Sequence, residues 1–293
     1  VMREVTFTLA EYNLAACSSV DITTVRLTSK PVLLLLHGWQ DNAATFASLW
    51  ALLTKDYDVI ALDWPGHGKS DYKSADNYYH FVDYIDDLHQ VITQLKCEKV
   101  HIIGHSLGAI VAGCYAAVFP EYVDKIILIE GLSPLTEPPQ MAVERLRMGI
   151  VSRQRYRQQQ LRLKQRSMAT FAEALTLRAA VNRLPASLLE AVVTRATIER
   201  DGRWYWRHDP RLRCDSLYRM AQQHAQALLS SIQAPVLSII GDHGYSSLHN
   251  SDGRGWNIND FTQVVVFGGH HCHLQSSKGV YRHIRTFIPT KFD

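Results

Sequence analysis

A chain of 293 residues, 46% hydrophobic and 20% charged, has the composition of a soluble globular protein and the length for one large α/β domain or a domain carrying an insertion. Apolar runs such as Val32 to Leu36 fall far short of the roughly 20 residues that span a bilayer, so no transmembrane helix is expected. The net charge of +3 by itself points to no class of partner.

In chain order, Val5 to Leu9 reads as a strand and Val32 to Leu36 as an uninterrupted apolar strand, the pattern of a sheet covered on both faces. Phe46 to Leu53 reads as a helix and Val59 to Leu62 as a strand. Apolar residues at helical spacing (Val82, Ile85, Leu88, Ile92, Leu95) predict a helix over Phe81 to Leu95. Val100 to Ile103 is the next strand, Leu107 to Phe119 a helix ended near Pro120, and Ile126 to Ile129 another strand. The alternation then stops, and from about Pro134 to Leu229 the pattern is almost wholly helical. Strands return at Val236 to Ile240 and Val264 to Phe267, before a last helix over Gly279 to Phe287. Such alternation predicts a mostly parallel sheet with helices on both faces. The helical block reads as an inserted cap, dividing the chain into core (1–133), cap (134–225) and core (226–293).

Charge is unevenly spread. Residues 141–220 hold sixteen Arg and one Lys against seven acids, a local excess of ten, which leaves the remainder at −7. Arginines interleaved with Leu, Ala and Gln at helical spacing (Arg145, Arg147, Arg153, Arg155, Arg157) read as a solvated helical face rather than a nucleic-acid surface. The first residues lack a basic stretch followed by an apolar one, so no secretory signal is expected, and Val1 before Met2 reads as a cloning remnant. Cys17, Cys97, Cys114, Cys214 and Cys272 are odd in number and without CxxC spacing, which predicts reduced thiols in a cytoplasmic protein.

The chemistry concentrates at Gly104-His105-Ser106-Leu107-Gly108, a G-x-S-x-G turn between a predicted strand and a predicted helix. A turn this tight projects the Ser106 hydroxyl beyond the sheet edge, with a helix N-terminus behind it to favour developing negative charge. His37-Gly38-Trp39 follows strand Val32 to Leu36, where the backbone N–H of Trp39 can join that of Leu107 as an oxyanion hole. Gly38 lets the main chain come close, and His37 is read as orienting this loop rather than as a base. The base is expected after the last strand, where Gly268-Gly269 precede His270, His271, Cys272 and His273; His270 is the general base, and His271 and His273 are helix-start or packing residues. Three histidines and a cysteine in four residues also suggest a metal. A zinc site usually draws ligands from a second segment, and with none apparent, neither metal nor organic cofactor is expected. The carboxylate that must hold the imidazole tautomer has two candidates at strand ends, Glu130 and Asp242.

These landmarks, with Gln40-Asp41-Asn42-Ala43, Pro65-Gly66-His67-Gly68-Lys69-Ser70, Tyr78-Tyr79 and His243-Gly244-Tyr245, resemble the serine hydrolase-like branch of the α/β-hydrolase superfamily. In many hydrolases of this fold the acid lies three residues beyond the glycine ending the strand Val236 to Ile240. Here that position is Gly244, and Asp242 sits early in the turn, which favours Glu130 with Asp242 as the alternative acid. The core also resembles haloalkane dehalogenases, which take their acid from the strand end where Glu130 sits. They use an Asp nucleophile followed by Trp, where this chain has Ser106 and Leu107. The resemblance implies a small-molecule carboxylic ester as substrate, cleaved through an acyl-enzyme on Ser106. A thioesterase or carbon–carbon bond hydrolase with the same triad is the alternative, and a non-catalytic binding module the remote one. Nucleic acid and a membrane span are not expected, and the sequence leaves the oligomeric state open.

Overall fold

The computed structural model of the chain describes residues 2–162, 164–249 and 254–291. Its strands are β1 (Arg3–Thr8), β2 (Asn13–Ser18), β3 (Val32–Leu36), β4 (Asp58–Leu62), β5 (Val100–His105), β6 (Val123–Ile129), β7 (Thr197–Arg200), β8 (Arg203–Trp206), β9 (Val236–Gly241) and β10 (Phe261–Val266). Its helices are α1 (Ala47–Leu53), α2 (Asp83–Leu95), α3 (Leu107–Val118), α4 (Ala142–Arg162), α5 (Phe171–Asn182), α6 (Glu190–Ala196), α7 (Gln222–Ser230), α8 (Ser246–His249), α9 (Cys272–Gln275) and α10 (Ser277–Phe287). Eight strands form one sheet in the order β1-β2-β4-β3-β5-β6-β9-β10. The pairs from β4 to β10 are parallel, and only β1–β2 and β2–β4 are antiparallel.

Alternation along the central strands feeds two cores, one on each sheet face. Leu34 and Leu36 of β3, with Ile102 of β5, pack against α2, α3 and Leu229 of α7. Leu33 and Leu35, with Ile103, pack against Leu49 and Leu53 of α1 and Val280 and Ile284 of α10. All five residues of β3 are buried, which is why that strand carries no polar position.

Three features depart from the sequence expectation. Strand β2, Asn-Leu-Ala-Ala-Cys-Ser, has little β-branched character; its pairing with β1 and β4 makes it a strand. The segment between β6 and β9 is not wholly helical, because β7 and β8 form an antiparallel hairpin pairing Thr197 with Trp206 through Arg200 with Arg203. Finally, the arginine face is only partly solvated. Arg147, Arg155 and Arg157 are exposed, but Arg145 is buried against Glu137 and Arg153 lies over the Tyr78 ring.

Trp204 and Trp206 pack with Met168, Phe171 and Leu189, a small cluster that also takes Leu274 from α9. The segment between β6 and β9 is further tied to the sheet by charge. Arg195 of α6 donates from Nε to the fully buried Asp63 at 2.9 Å and from its terminal nitrogens to both oxygens of Glu4 at 2.6 and 3.1 Å. Removing one partner of such a pair leaves a buried charge uncompensated. Arg195→Ala is therefore expected to destabilise the fold by about 3–5 kcal/mol in urea titrations, and a loss under about 1 kcal/mol would refute this account. No described helix is long and apolar enough to cross a membrane.

Candidate active site

Ser106 occupies the single-residue turn between β5 and α3. Its backbone sits at φ 54° and ψ −117°, a conformation that L-residues adopt only when their surroundings enforce it. Two features enforce it here. The Ser106 N–H donates to Ile129 O of β6 at 2.9 Å, and its carbonyl accepts from the N–H groups of Ala109 and Ile110. The turn is also crowded, since a Cβ on Gly104 would stand 2.3 Å from Gly108 O and one on Gly108 2.1 Å from Leu36 O. Only glycine at both positions lets the start of α3 press against β5 and β3.

The loop after β3 lies against this turn; a Cβ on Gly38 would stand 3.1 Å from that of Ser106. His37 is fully buried and holds the loop from within. Its Nε2 accepts from Trp64 N–H at 3.0 Å, which puts the proton on Nδ1 for donation to Gly38 O at 2.7 Å. It has no contact with Ser106 that would suit a base. The backbone N–H groups of Trp39 and Leu107 have no hydrogen-bond partner among the described residues. The Trp39 ring, half exposed, donates from Nε1 to Leu212 O at 2.9 Å.

His270 reaches the turn from the end of β10. Its Nε2 is 3.0 Å from Ser106 Oγ and its Nδ1 3.3 Å from Glu130 Oε1. The His270 carbonyl accepts from His105 Nε2–H at 2.7 Å, and the Tyr245 ring stacks on the imidazole with centroids 4.0 Å apart. Glu130 follows β6 in left-handed backbone (φ 52°) and is 1% exposed. Its carboxylate accepts from the N–H groups of Tyr245 and Gly241, both at 3.1 Å, so its negative charge is matched by backbone dipoles. Asp242 faces elsewhere. It is partly exposed and accepts from Gly268 N–H at 2.8 Å and from His243 Nδ1 at 2.9 Å, bonds that together lower its pKa.

Two of these features escaped the sequence reading. Tyr245 carried no signal as a ring partner. From the sequence Gly244 reads only as an empty acid slot, yet a Cβ there would lie 2.3 Å from both Glu130 oxygens. The space over the histidine accommodates a carboxylate from β6 or a side chain at position 244, not both. Gly244→Ala is therefore expected to displace the Glu130 carboxylate and lower turnover by about 10-fold or more, since imidazole orientation depends on that contact. An unchanged kcat would mean that the loop relieves the clash without moving Glu130.

Of the remaining histidines, His271 precedes α9 and its Nε2 accepts from Asn182 Nδ2 of α5 at 3.0 Å, while His273 is fully buried with Nε2 2.8 Å from Thr45 Oγ1. A surface depression of about 780 Å³ lies at the opposite, N-terminal ends of the parallel strands among Lys30, Lys99, His101 and Lys125. It is open, and among the described residues no hydroxyl or thiol is hydrogen-bonded to its His101, so the Ser106 constellation at the C-terminal strand ends is the better candidate.

A family profile described as alpha/beta hydrolase fold matches residues 31–276. A serine hydrolase-like protein of Danio rerio is 31% identical over 268 residues, covering 88% of this chain and 81% of its own. The crystal structure of a hypothetical protein from Pseudomonas aeruginosa PAO1 superposes with a TM-score of 0.85 at 30% identity over 97% of both chains. A thioesterase domain from a curacin biosynthetic pathway superposes at 0.81 with 22% identity over 98% of this chain and 99% of that one, a likeness of fold.

Proposed function

The chain belongs to the α/β-hydrolase family, in its serine hydrolase-like branch, and from that premise we propose that it cleaves carboxylic esters through an acyl-enzyme on Ser106. The observation that carries this reading is the relay Ser106 Oγ–His270 Nε2–Glu130, with contacts of 3.0 and 3.3 Å and the carboxylate buried.

Ser106 Oγ attacks the ester carbonyl while its proton passes to His270 Nε2. The resulting oxyanion is held by the Trp39 and Leu107 N–H groups, both free to donate and one at the N-terminus of α3. Glu130 holds the Nδ1–H tautomer and stabilises the imidazolium. His270 then gives the proton to the departing alkoxide, which leaves as alcohol with the acyl group on Oγ. Water repeats the sequence. His270 takes its proton, hydroxide adds to the acyl carbon, and Ser106 leaves reprotonated with release of the carboxylic acid. No step calls for a metal or an organic cofactor.

Residues 134–225 act as a cap in this reading. Their support is direct bonding to the loops around Ser106: Leu212 O to Trp39, Val192 O to Asn42, Arg178 to Gln40 O at 2.8 Å, and Asn182 to His271. The cap then sets which acyl chains enter. Cysteines that stand singly support a reducing compartment, and a cytoplasmic location belongs to the same proposal.

The test is a burst of one nitrophenol per chain from short nitrophenyl esters, with a fluorophosphonate labelling Ser106 Oγ by loss of fluoride. Acyl-CoA thioesters run alongside separate an esterase from a thioesterase. A chain that neither bursts nor labels is not a serine hydrolase of this kind.

A further inference from the structure

Behind the serine turn, three side chains from three distant segments converge. Asp41 lies in the loop after β3, His105 ends β5, and His273 sits in α9, with one potential ligand atom from each lying within 4.8 Å of the others. All three are buried, at 7%, 1% and 0% exposure. In the sequence no second segment pairs with the late histidines, and the fold supplies two.

The hydrogen bonds already made define what is left over. His105 Nε2 is bonded to the His270 carbonyl, an acceptor only, so its proton is on Nε2 and Nδ1 presents a bare lone pair. His273 Nε2 is bonded to Thr45 Oγ1. The Nδ1 atoms of both rings are buried with no hydrogen-bond partner. Asp41 Oδ1 accepts from Asn42 N–H at 2.9 Å and lies 3.7 Å from Arg178, while Oδ2 has no partner among the described residues. A buried polar atom without a partner is costly, and two on adjoining rings beside a carboxylate call for a shared occupant.

We propose that Asp41, His105 and His273 bind one divalent transition ion of the Zn²⁺ class. Two imidazoles and a carboxylate oxygen are the donor set such ions take, with a water left to complete four-coordination. Ligand atoms around tetrahedral zinc stand about 3.3 Å apart, so binding would draw these atoms together from their present separations of up to 4.8 Å. The outward nitrogens are already held by a carbonyl and a hydroxyl, the arrangement that fixes a ligating histidine's tautomer. Burial pushes the pKa of His105 and His273 well below the ordinary value, keeping them neutral. Burial opposes ionisation of Asp41 as well, but Arg178 and the nearby imidazoles outweigh it and hold the carboxyl below its usual range.

The ion has a structural consequence. Asp41 is two residues beyond Trp39, His105 directly precedes Ser106, and His273 is three beyond His270. One ion fastens together the loops that carry the oxyanion donor, the nucleophile and the base, and this holds whatever bond the enzyme cleaves.

The test is titration of the metal-free chain with Co²⁺, followed by its visible absorption, with Zn²⁺ stoichiometry from equilibrium dialysis. About one equivalent is expected, with a rise in Tm on saturation. Asp41→Asn and His273→Gln should each weaken binding at least tenfold, whereas His270→Ala should leave it unchanged. X-ray absorption of the wild-type complex, which needs no variant to fold, should show two imidazoles and further light-atom ligands. The proposal is overturned if the wild type takes up no ion, if a folded Asp41→Asn or His273→Gln variant binds normally, if His270→Ala abolishes binding, or if the spectrum lacks two imidazoles.

Discussion

Replacing Ser106 by alanine is expected to lower kcat for carboxylic esters by at least about 10³-fold while leaving the fold intact. The change removes only Oγ, which is hydrogen-bonded to His270 Nε2 at 3.0 Å. The left-handed backbone at this position is set by the Ile129 hydrogen bond and by crowding between Gly104 and Gly108, and alanine tolerates it as serine does. Thermal unfolding should therefore shift little. The loss is large because the hydroxyl and imidazole act as a unit, and among the described residues Ser106 is the hydroxyl hydrogen-bonded to His270 Nε2. What survives is the rate supplied by binding and the free N–H groups of Trp39 and Leu107. Steady-state kinetics on a short nitrophenyl ester decide the matter, and more than a tenth of wild-type kcat in the alanine variant removes Ser106 from its assigned role.

The second large effect is at the acid. Glu130→Gln should reduce kcat by about 10²- to 10⁴-fold with KM nearly unchanged, because a neutral amide neither favours the productive His270 tautomer nor stabilises its cation. Some stability should also go. The carboxylate accepts from two backbone N–H groups, and an amide offers an oxygen to only one of them at a time. Leaving the other donor unpaired in a buried place costs about 1–3 kcal/mol. Asp242→Asn removes charge from a partly exposed carboxylate that ties Gly268 N–H to His243, so its effect on kcat should stay within about tenfold. Measuring kcat, KM and Tm for both variants separates loss of the relay from loss of the fold. A crippled Asp242→Asn beside a mild Glu130→Gln transfers the acid role to Asp242.

What could be read from the chain was written locally. The turn around Ser106 is five contiguous residues between an apolar strand and an apolar helix; Gly104 is required by a contact four residues away, whereas Gly108 is required by the close approach of β3 at Leu36. Strand β3 is legible because burial on both faces leaves it continuously apolar, and β5 and β9 because they are apolar apart from His101, His105 and Ser238. Less was visible where an element depends on its neighbours. Strand β2 is a strand because β1 and β4 complete its hydrogen bonds, and the β7–β8 hairpin hides among arginines that read as helical.

By itself, then, the sequence determined the alternating α/β frame, the serine turn, the loop at Gly38 and the late histidine, because strand and helix periodicity and tight-turn sterics act over a few residues. Local sequence favoured Glu130 over Asp242, and tertiary structure decided which carboxylate faces His270. The choice depends on Glu130 and residue 244, far apart in the chain, sharing a volume that holds only one of their side chains. It likewise decided that Asp41, His105 and His273 meet behind the turn, since parallel strands deliver their C-terminal loops to one edge of the sheet whatever their separation in sequence.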